Sequence, residues 1–208
     1  MGKFHFKRTS LPATLLSLLA TGQAMAHHQP PGMEDIDEFA GEPFKAALTH
    51  PFSGADHWLA ALAVGLILWT RGRTTGSHAG ALFVLALVAG IATGRSGGQM
   101  PLMESGMAVS VLLAGCAVAG AAWFSNKAVL MLVALTGAWH GVAHGQEMPS
   151  GVPLGIYAAG LVVASAGIVL LAALLANQVT SRWPDLPRWA GGGLAAAGTC
   201  LLFAGLAS

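Results

Sequence analysis

The sequence predicts an all-α membrane protein: a six-transmembrane-helix bundle that follows a cleavable signal peptide. Three observations carry this. Of 208 residues, 54% are hydrophobic and only 9% charged, against roughly 25% charged in soluble domains. Beyond residue 50 the chain falls into six apolar runs, about 52–70, 79–94, 103–123, 127–145, 153–176 and 189–207. Each is near the ~20 residues that cross a bilayer as a helix. None has the period-two alternation of a barrel strand.

Residues 1–26 read as the signal peptide. Lys3, Lys7 and Arg8 form a basic start, Leu11 to Ala20 a short apolar core, and Ala24-Met25-Ala26 a small-x-small cleavage site. The core is about half the length of a spanning helix, which argues against an uncleaved anchor. Cleavage after Ala26 would leave His27 and His28 at the new terminus. Cleavage after Ala24 would put His27 third. Either end could chelate a divalent ion through the amine, backbone nitrogens and imidazole; the plain alternative is a polar, unstructured start. Residues 27–49 form a polar N-terminal segment with Pro30, Pro31 and the acidic residues Glu34, Asp35, Asp37, Glu38 and Glu42. It reads as a solvated linker or surface helix.

The six runs then make up residues 50–208. Their 28 glycines, counted over the whole chain, would weaken helices in water but let helices approach closely in lipid. Cys116 and Cys200 each stand alone in an apolar run. With no CxxC, neither a disulfide framework nor a thiolate metal site is indicated, and the two read as small buried hydrophobes. A net charge of +1 offers nucleic acid no basic surface. The chain has no GxxxxGK[ST] and is not itself an ATPase.

Removal of the signal peptide would start residue 27 outside the cytoplasmic membrane, so the first run would cross inward. Arg71, Arg73, Lys127, Arg182 and Arg188 then fall on inside loops, and only Lys45 and Arg95 outside, in agreement with the positive-inside rule. Trp69, Trp123, Trp183 and Trp189 fall at the inner interface, and both mature termini face outside.

This topology gives the polar residues a depth. His50, Asp56 and His57 lie at the outer end of the first run, Glu104 opens the third at the same side, and His140, His144 and Glu147 close the fourth. Ionisable groups at membrane depth are costly and mark function. His140 and His144, four apart, share one helix face about 6 Å apart along the axis. Two such imidazoles can hold one ion, the logic by which HExxH binds zinc, and Glu147 joins the same face if the helix lasts another turn. Gly137, Gly141 and Gly145 beside them offer a smooth ridge to a neighbouring helix, read here as a sliding surface between the first and fourth helices. Asp56 and His57 are adjacent and point about 100° apart; one would ligate while the other orients a ligand from behind. A continuous helix would put His50 roughly 10 Å from His57 along the axis, too far for one ion. Pro51 favours a first helical position, which makes His50 an entry ligand ahead of the helix. Met103 and Met107 read as packing, and His78 as a polar residue of an inside loop.

Imidazole with carboxylate and no thiolate suits Ni²⁺, Co²⁺, Zn²⁺ or Cu²⁺. A capture site on an ion path is one reading. An intramembrane zinc-dependent hydrolase, with His57, His140 and His144 as ligands and Asp56 or Glu147 as base, is another. A membrane metal sensor or buffer is a third. Imidazole ligands predict weaker uptake below pH ~6.5, where protons compete for the ring.

The stretch HPFSGADHWLAALAVG at 50–65, with HGVAHGQEMP at 140–149, resembles the two signature motifs of the HupE/UreJ family, and the resemblance runs through the whole chain. It implies a secondary nickel permease in a bacterial cytoplasmic membrane, not an enzyme. Ni²⁺ would be the transported substrate, with Co²⁺ an alternative, and no cofactor would be permanently bound. The implied partners are the divalent ion, the lipid bilayer and hydrogenase or urease maturation proteins on the cytoplasmic side. By resemblance His50, Asp56 and His57 match the first motif and His140, His144 and Glu147 the second; His27, His28 and Glu104 are accessory candidates.

Overall fold

A computed structural model describes residues 42–207. The signal peptide, His27, His28 and the acidic residues 34–38 lie outside the described residues. Every regular element is helical: α1 (Pro43–Thr49), a 3-10 turn (His50–Phe52), α2 (Ala55–Thr70), α3 (Gly72–Arg95), α4 (Met103–Ala119), a second 3-10 turn (Ala121–Trp123), α5 (Asn126–Gln146), α6 (Leu154–Val179) and α7 (Leu186–Ala207).

Four of these, α3, α5, α6 and α7, are long and apolar enough to cross a membrane. A fifth candidate span is broken: α1 with its 3-10 turn and α2 qualify together but are bent by 80°. The expected six therefore become four to five among the described residues, for two local reasons. Gly54 is extended (φ −116°, ψ 131°), which holds α2 to 16 residues, and α4 stops at Gly120 after 17 residues.

The first break follows from its residues. Pro43 is the first residue of α1 and Pro51 the second of the 3-10 turn, each at a position where a missing N–H costs nothing. Ser53 closes the turn, its backbone N–H and its Oγ both donating to the His50 carbonyl at 2.9 and 2.7 Å. Far from being a detached surface segment, α1 packs on α6, with Ala47 fully buried where Gly160 leaves room for it.

At the other end, Arg71 alone joins α2 to α3, and Gly72 takes the positive φ (+72°) that so tight a joint requires. Arg71 donates to the Phe124 carbonyl at 2.7 Å and so ties this joint to the α4–α5 connection. Helix α3 thus begins seven residues before the apolar run. Within its polar first turns Ser77 Oγ donates back to the Arg73 carbonyl at 2.6 Å. His78 is consequently an exposed helical residue and not part of a loop.

Helix α3 packs chiefly on α5, α4 on α7, and α2 on α6. The core is small and aliphatic: Ala60, Ala63, Val64 and Ile67 of α2 meet Val111, Val129, Val133 and Leu161. Leu85, Met131, Leu170, Leu174 and Phe203 are instead exposed on the outside, the apolar exterior a bilayer solvates. Met107 is buried as expected of packing. Cys116 and Cys200 are only half-buried.

The glycine ridge of α5 has a different partner from the one expected. An added Cβ at Gly137, Gly141 or Gly145 would run into the carbonyls of Phe83, Leu87 or Ile91, all on α3. Gly90 and Gly94 reciprocate against Ala138 and Val142. The ridge is a closed α3–α5 seam and is not free for movement between α2 and α5.

Candidate metal centre

The break before α2, the end of α5 and the start of α6 converge on four imidazoles. His140 and His144 project from α5 on one face, as their spacing requires. The His57 ring centroid lies 5.4 Å from that of His140 and 4.3 Å from that of His144. The 80° bend brings His50 in as well, 5.0 Å from His144 and 6.2 Å from His57. The 10 Å separation expected from a continuous helix is therefore replaced by direct ring contact, because the chain turns back at Ser53-Gly54.

Asp56 does not face away from His57. Its Oδ1 accepts from His57 Nδ1 at 2.8 Å, and both side chains are buried. The extended backbone at Gly54 makes room for this pair, since a Cβ there would sit 2.7 Å from both Asp56 Oδ1 and His57 Nδ1. Asp56 also stands in the first turn of α2, where the helix dipole favours a carboxylate. His140 Nδ1 is committed too, donating to the Thr136 carbonyl at 2.9 Å. Each bond leaves its ring with the proton on Nδ1 and a lone pair on Nε2.

Glu147, just past the end of α5, accepts from His50 Nε2 at 3.0 Å. Ligand atoms of His50, His144 and Glu147 all lie within 4.8 Å of one another. An ion held at ~2.0–2.2 Å by nitrogen and oxygen needs only small side-chain rotations to be seated among them. His50 and Glu147 are 27% and 32% exposed, whereas Asp56, His57, His140 and His144 are buried. The cluster thus grades from a wet mouth to a dry interior.

Three ring nitrogens in that interior, His57 Nε2, His140 Nε2 and His144 Nδ1, are buried with no hydrogen-bond partner among the described residues. A buried polar atom left unpaired costs about 1–3 kcal/mol, and three in one cluster call for a ligand that satisfies them. A divalent cation does so, since the Nδ1 bonds of His57 and His140 leave a lone pair and not a proton on each Nε2.

Two residues stand apart from the expectation. Glu104 is exposed on α4 beside Gly205 of α7 and is not in the ligand-forming group of His50, His144 and Glu147. Tyr157, absent from the sequence reading, is buried in the first turn of α6 with its ring 6.3 Å from His50. Its signal was available: it is the single tyrosine of the chain, at the start of the fifth run.

Comparisons with known proteins identify the family. The sequence model described as HupE / UreJ protein matches residues 14–201. The chain is 30% identical over 197 residues to Protein HupE of Rhizobium leguminosarum bv. viciae, covering 94% of this chain and 98% of that protein. No solved structure matches. With a family match spanning nearly its whole length and a relative aligned end to end, the chain belongs to the HupE/UreJ family.

Proposed function

We propose that the protein is a secondary transporter that imports nickel ions across a bacterial cytoplasmic membrane, for metallocentre assembly in a hydrogenase or urease. The observation that carries this reading is the gathering of four imidazoles and the carboxylates of Asp56 and Glu147 at one end of a bundle that is otherwise aliphatic. In this reading α2, with its broken entry, and α4 also cross the bilayer. That makes six crossings with both mature termini outside, and the cluster opens to the outer face. Basic residues Arg71, Arg73, Lys127, Arg182 and Arg188 at the opposite end support the orientation.

His50, His144 and Glu147 take the hydrated ion at the mouth. Imidazole nitrogens replace part of its water shell and Glu147 balances charge. Asp56 holds His57 in the tautomer that presents Nε2. His27 and His28 of the mature N-terminus chelate a divalent ion through the amine, backbone nitrogens and imidazole, and Glu104 adds negative charge at the same depth. Preference for nickel over cobalt rests on the family, since the donor set fits both.

Accumulation of labelled nickel in cells producing the protein tests the reading. His57→Ala should abolish accumulation while the protein still reaches the membrane in normal amount. Wild-type accumulation in that variant would sink the site. Competition by cobalt, zinc and copper assigns the substrate. Metal-dependent hydrolysis of lipid or peptide by the purified chain, without accumulation in cells, would replace the transporter with an enzyme.

A further inference from the structure

The geometry points to two ion positions in series, an outer one at His50, His144 and Glu147 and an inner one at His57 Nε2 and His140 Nε2, with His144 serving both. This rests on the transporter reading and deepens it, because it gives the ion a first step inward.

Three observations separate the positions. The atoms that converge closely enough to hold one ion come from His50, His144 and Glu147; His57 and His140 are not in that group. The inner pair is prepared independently. His57 gives its Nδ1 to a carboxylate and His140 gives its Nδ1 to a backbone carbonyl, the two partners that commonly orient a metal-bound histidine. Their Nε2 atoms are both buried and unbonded, on rings whose centroids are 5.4 Å apart. Finally, the two sets differ in solvent access: His50 and Glu147 are about a quarter to a third exposed, and His57 and His140 are buried.

His144 stands between the sets, its ring 5.0 Å from that of His50 and 4.3 Å from that of His57. A neutral imidazole offers one lone pair and keeps its proton on the other nitrogen. His144 therefore stays bound through the same nitrogen, its ring turning with the ion as the ion exchanges His50 and Glu147 for His57 and His140. Each position has one carboxylate at hand, Glu147 as a ligand outside and Asp56 behind His57 inside, so the ion's charge is balanced at both. Two divalent ions this close would repel strongly, so the positions are filled alternately and the chain holds one ion at a time. Losing the water-exposed ligands in exchange for buried ones is the dehydration step that an ion path requires.

The test uses the full chain, purified in detergent and reconstituted into liposomes, with nickel chloride as the probe. Binding is read by calorimetry, imidazole count by nickel-edge X-ray absorption, and entry by uptake into liposomes. Two positions predict one nickel per chain. They predict that Glu147→Gln lowers nickel affinity more than tenfold while His140→Ala lowers it by a smaller factor, and that uptake falls more than tenfold in His140→Ala. His140→Gln serves as the second inner variant should the alanine form aggregate. If the inner variants lose affinity by the same factor as Glu147→Gln, or if either transports at the wild-type rate, the two-position scheme is overturned. Failure of the transporter reading shows separately: the wild-type chain would bind nickel without admitting it to liposomes, while the affinities of the variants still decide between one position and two.

Discussion

Helix α5 presents two faces one residue out of phase, and they behave in opposite ways. Gly137, Gly141 and Gly145 press their backbone onto α3 with no side chain between. Thr136, His140 and His144, each one position earlier, carry the polar side chains of the cluster. Successive residues differ by about 100° around a helix, so a rigid seam and a ligand face are built from interleaved positions. On the seam everything is satisfied by close backbone packing. On the ligand face α2 and α5 touch little along their backbones, and imidazoles with unpaired nitrogens fill the space. The seam fixes α5 so that the ligand face need not be rigid itself.

The largest effect should come from breaking the seam. Gly141→Val places branched carbons against the Leu87 carbonyl and within 2.9 Å of Gly90 Cα, atoms that cannot rotate away. Overpacking usually costs about 1–3 kcal/mol, and contact with backbone puts this variant at or above the upper end. Little monodisperse protein should be recovered in detergent, and Gly141→Ala should lie between it and wild type. Normal recovery and melting of the valine variant would mean that the seam is looser than its geometry.

His144→Ala attacks the other face and should separate function from fold. Yield and melting should stay near wild type, while nickel uptake falls by more than about 100-fold, since even residues that merely orient a ligand cost 10–100-fold when lost. Uptake preserved in this variant would remove the ring shared by both halves of the cluster. A sharp fall in yield would instead show the ligand face to be as structural as the seam.

Gly54→Ala should act at an intermediate level. Its Cβ would lie 2.7 Å from both partners of the Asp56–His57 bond, so the pair must separate or the extended entry to α2 must move. Loss of that orienting bond at the inner ring predicts a decrease in nickel uptake of about 10–100-fold. Asp56→Asn, which keeps the shape and removes the charge, should reproduce much of it. If Asp56→Asn is silent and Gly54→Ala is not, the glycine matters for the bend and not for the pair.

What was legible in the sequence divides along similar lines. Helices defined by composition, and the shared face of His140 and His144, follow from hydropathy and a period of 3.6, which are local properties. The bend at Ser53-Gly54 was only half legible. Pro51 announced that His50 precedes a helix, but the angle depends on an extended glycine seated against the Asp56 and His57 side chains. The distance from His50 to His57 was overestimated for that reason. The adjacency of Asp56 and His57 suggested divergence, yet side-chain rotamers close a gap that backbone angles open. The partner of the glycine ridge was illegible because any helix fits a smooth surface; the matching glycines at 90 and 94 on the second run were the clue. Glu104 shared the right depth, but depth alone does not give the position around the bundle, and α4 turns toward α7.

The smallest prediction asks how far the seam reaches toward the site. Gln146, the last residue of α5, donates from Nε2 to the Gly98 carbonyl at 3.0 Å, which ties the end of the helix to the turn after α3. The bond is exposed, so Gln146→Ala should cost no more than about 0.5–1 kcal/mol and barely move the melting temperature. Glu147 follows directly, however, and its carboxylate must meet His50 from a position set by the end of α5. If anchoring by α3 extends through the last turn, nickel affinity should change by less than threefold. A larger loss with unchanged melting would mean that the seam ends at Gly145, and that Gln146, not the glycines, holds the Glu147 carboxylate in place.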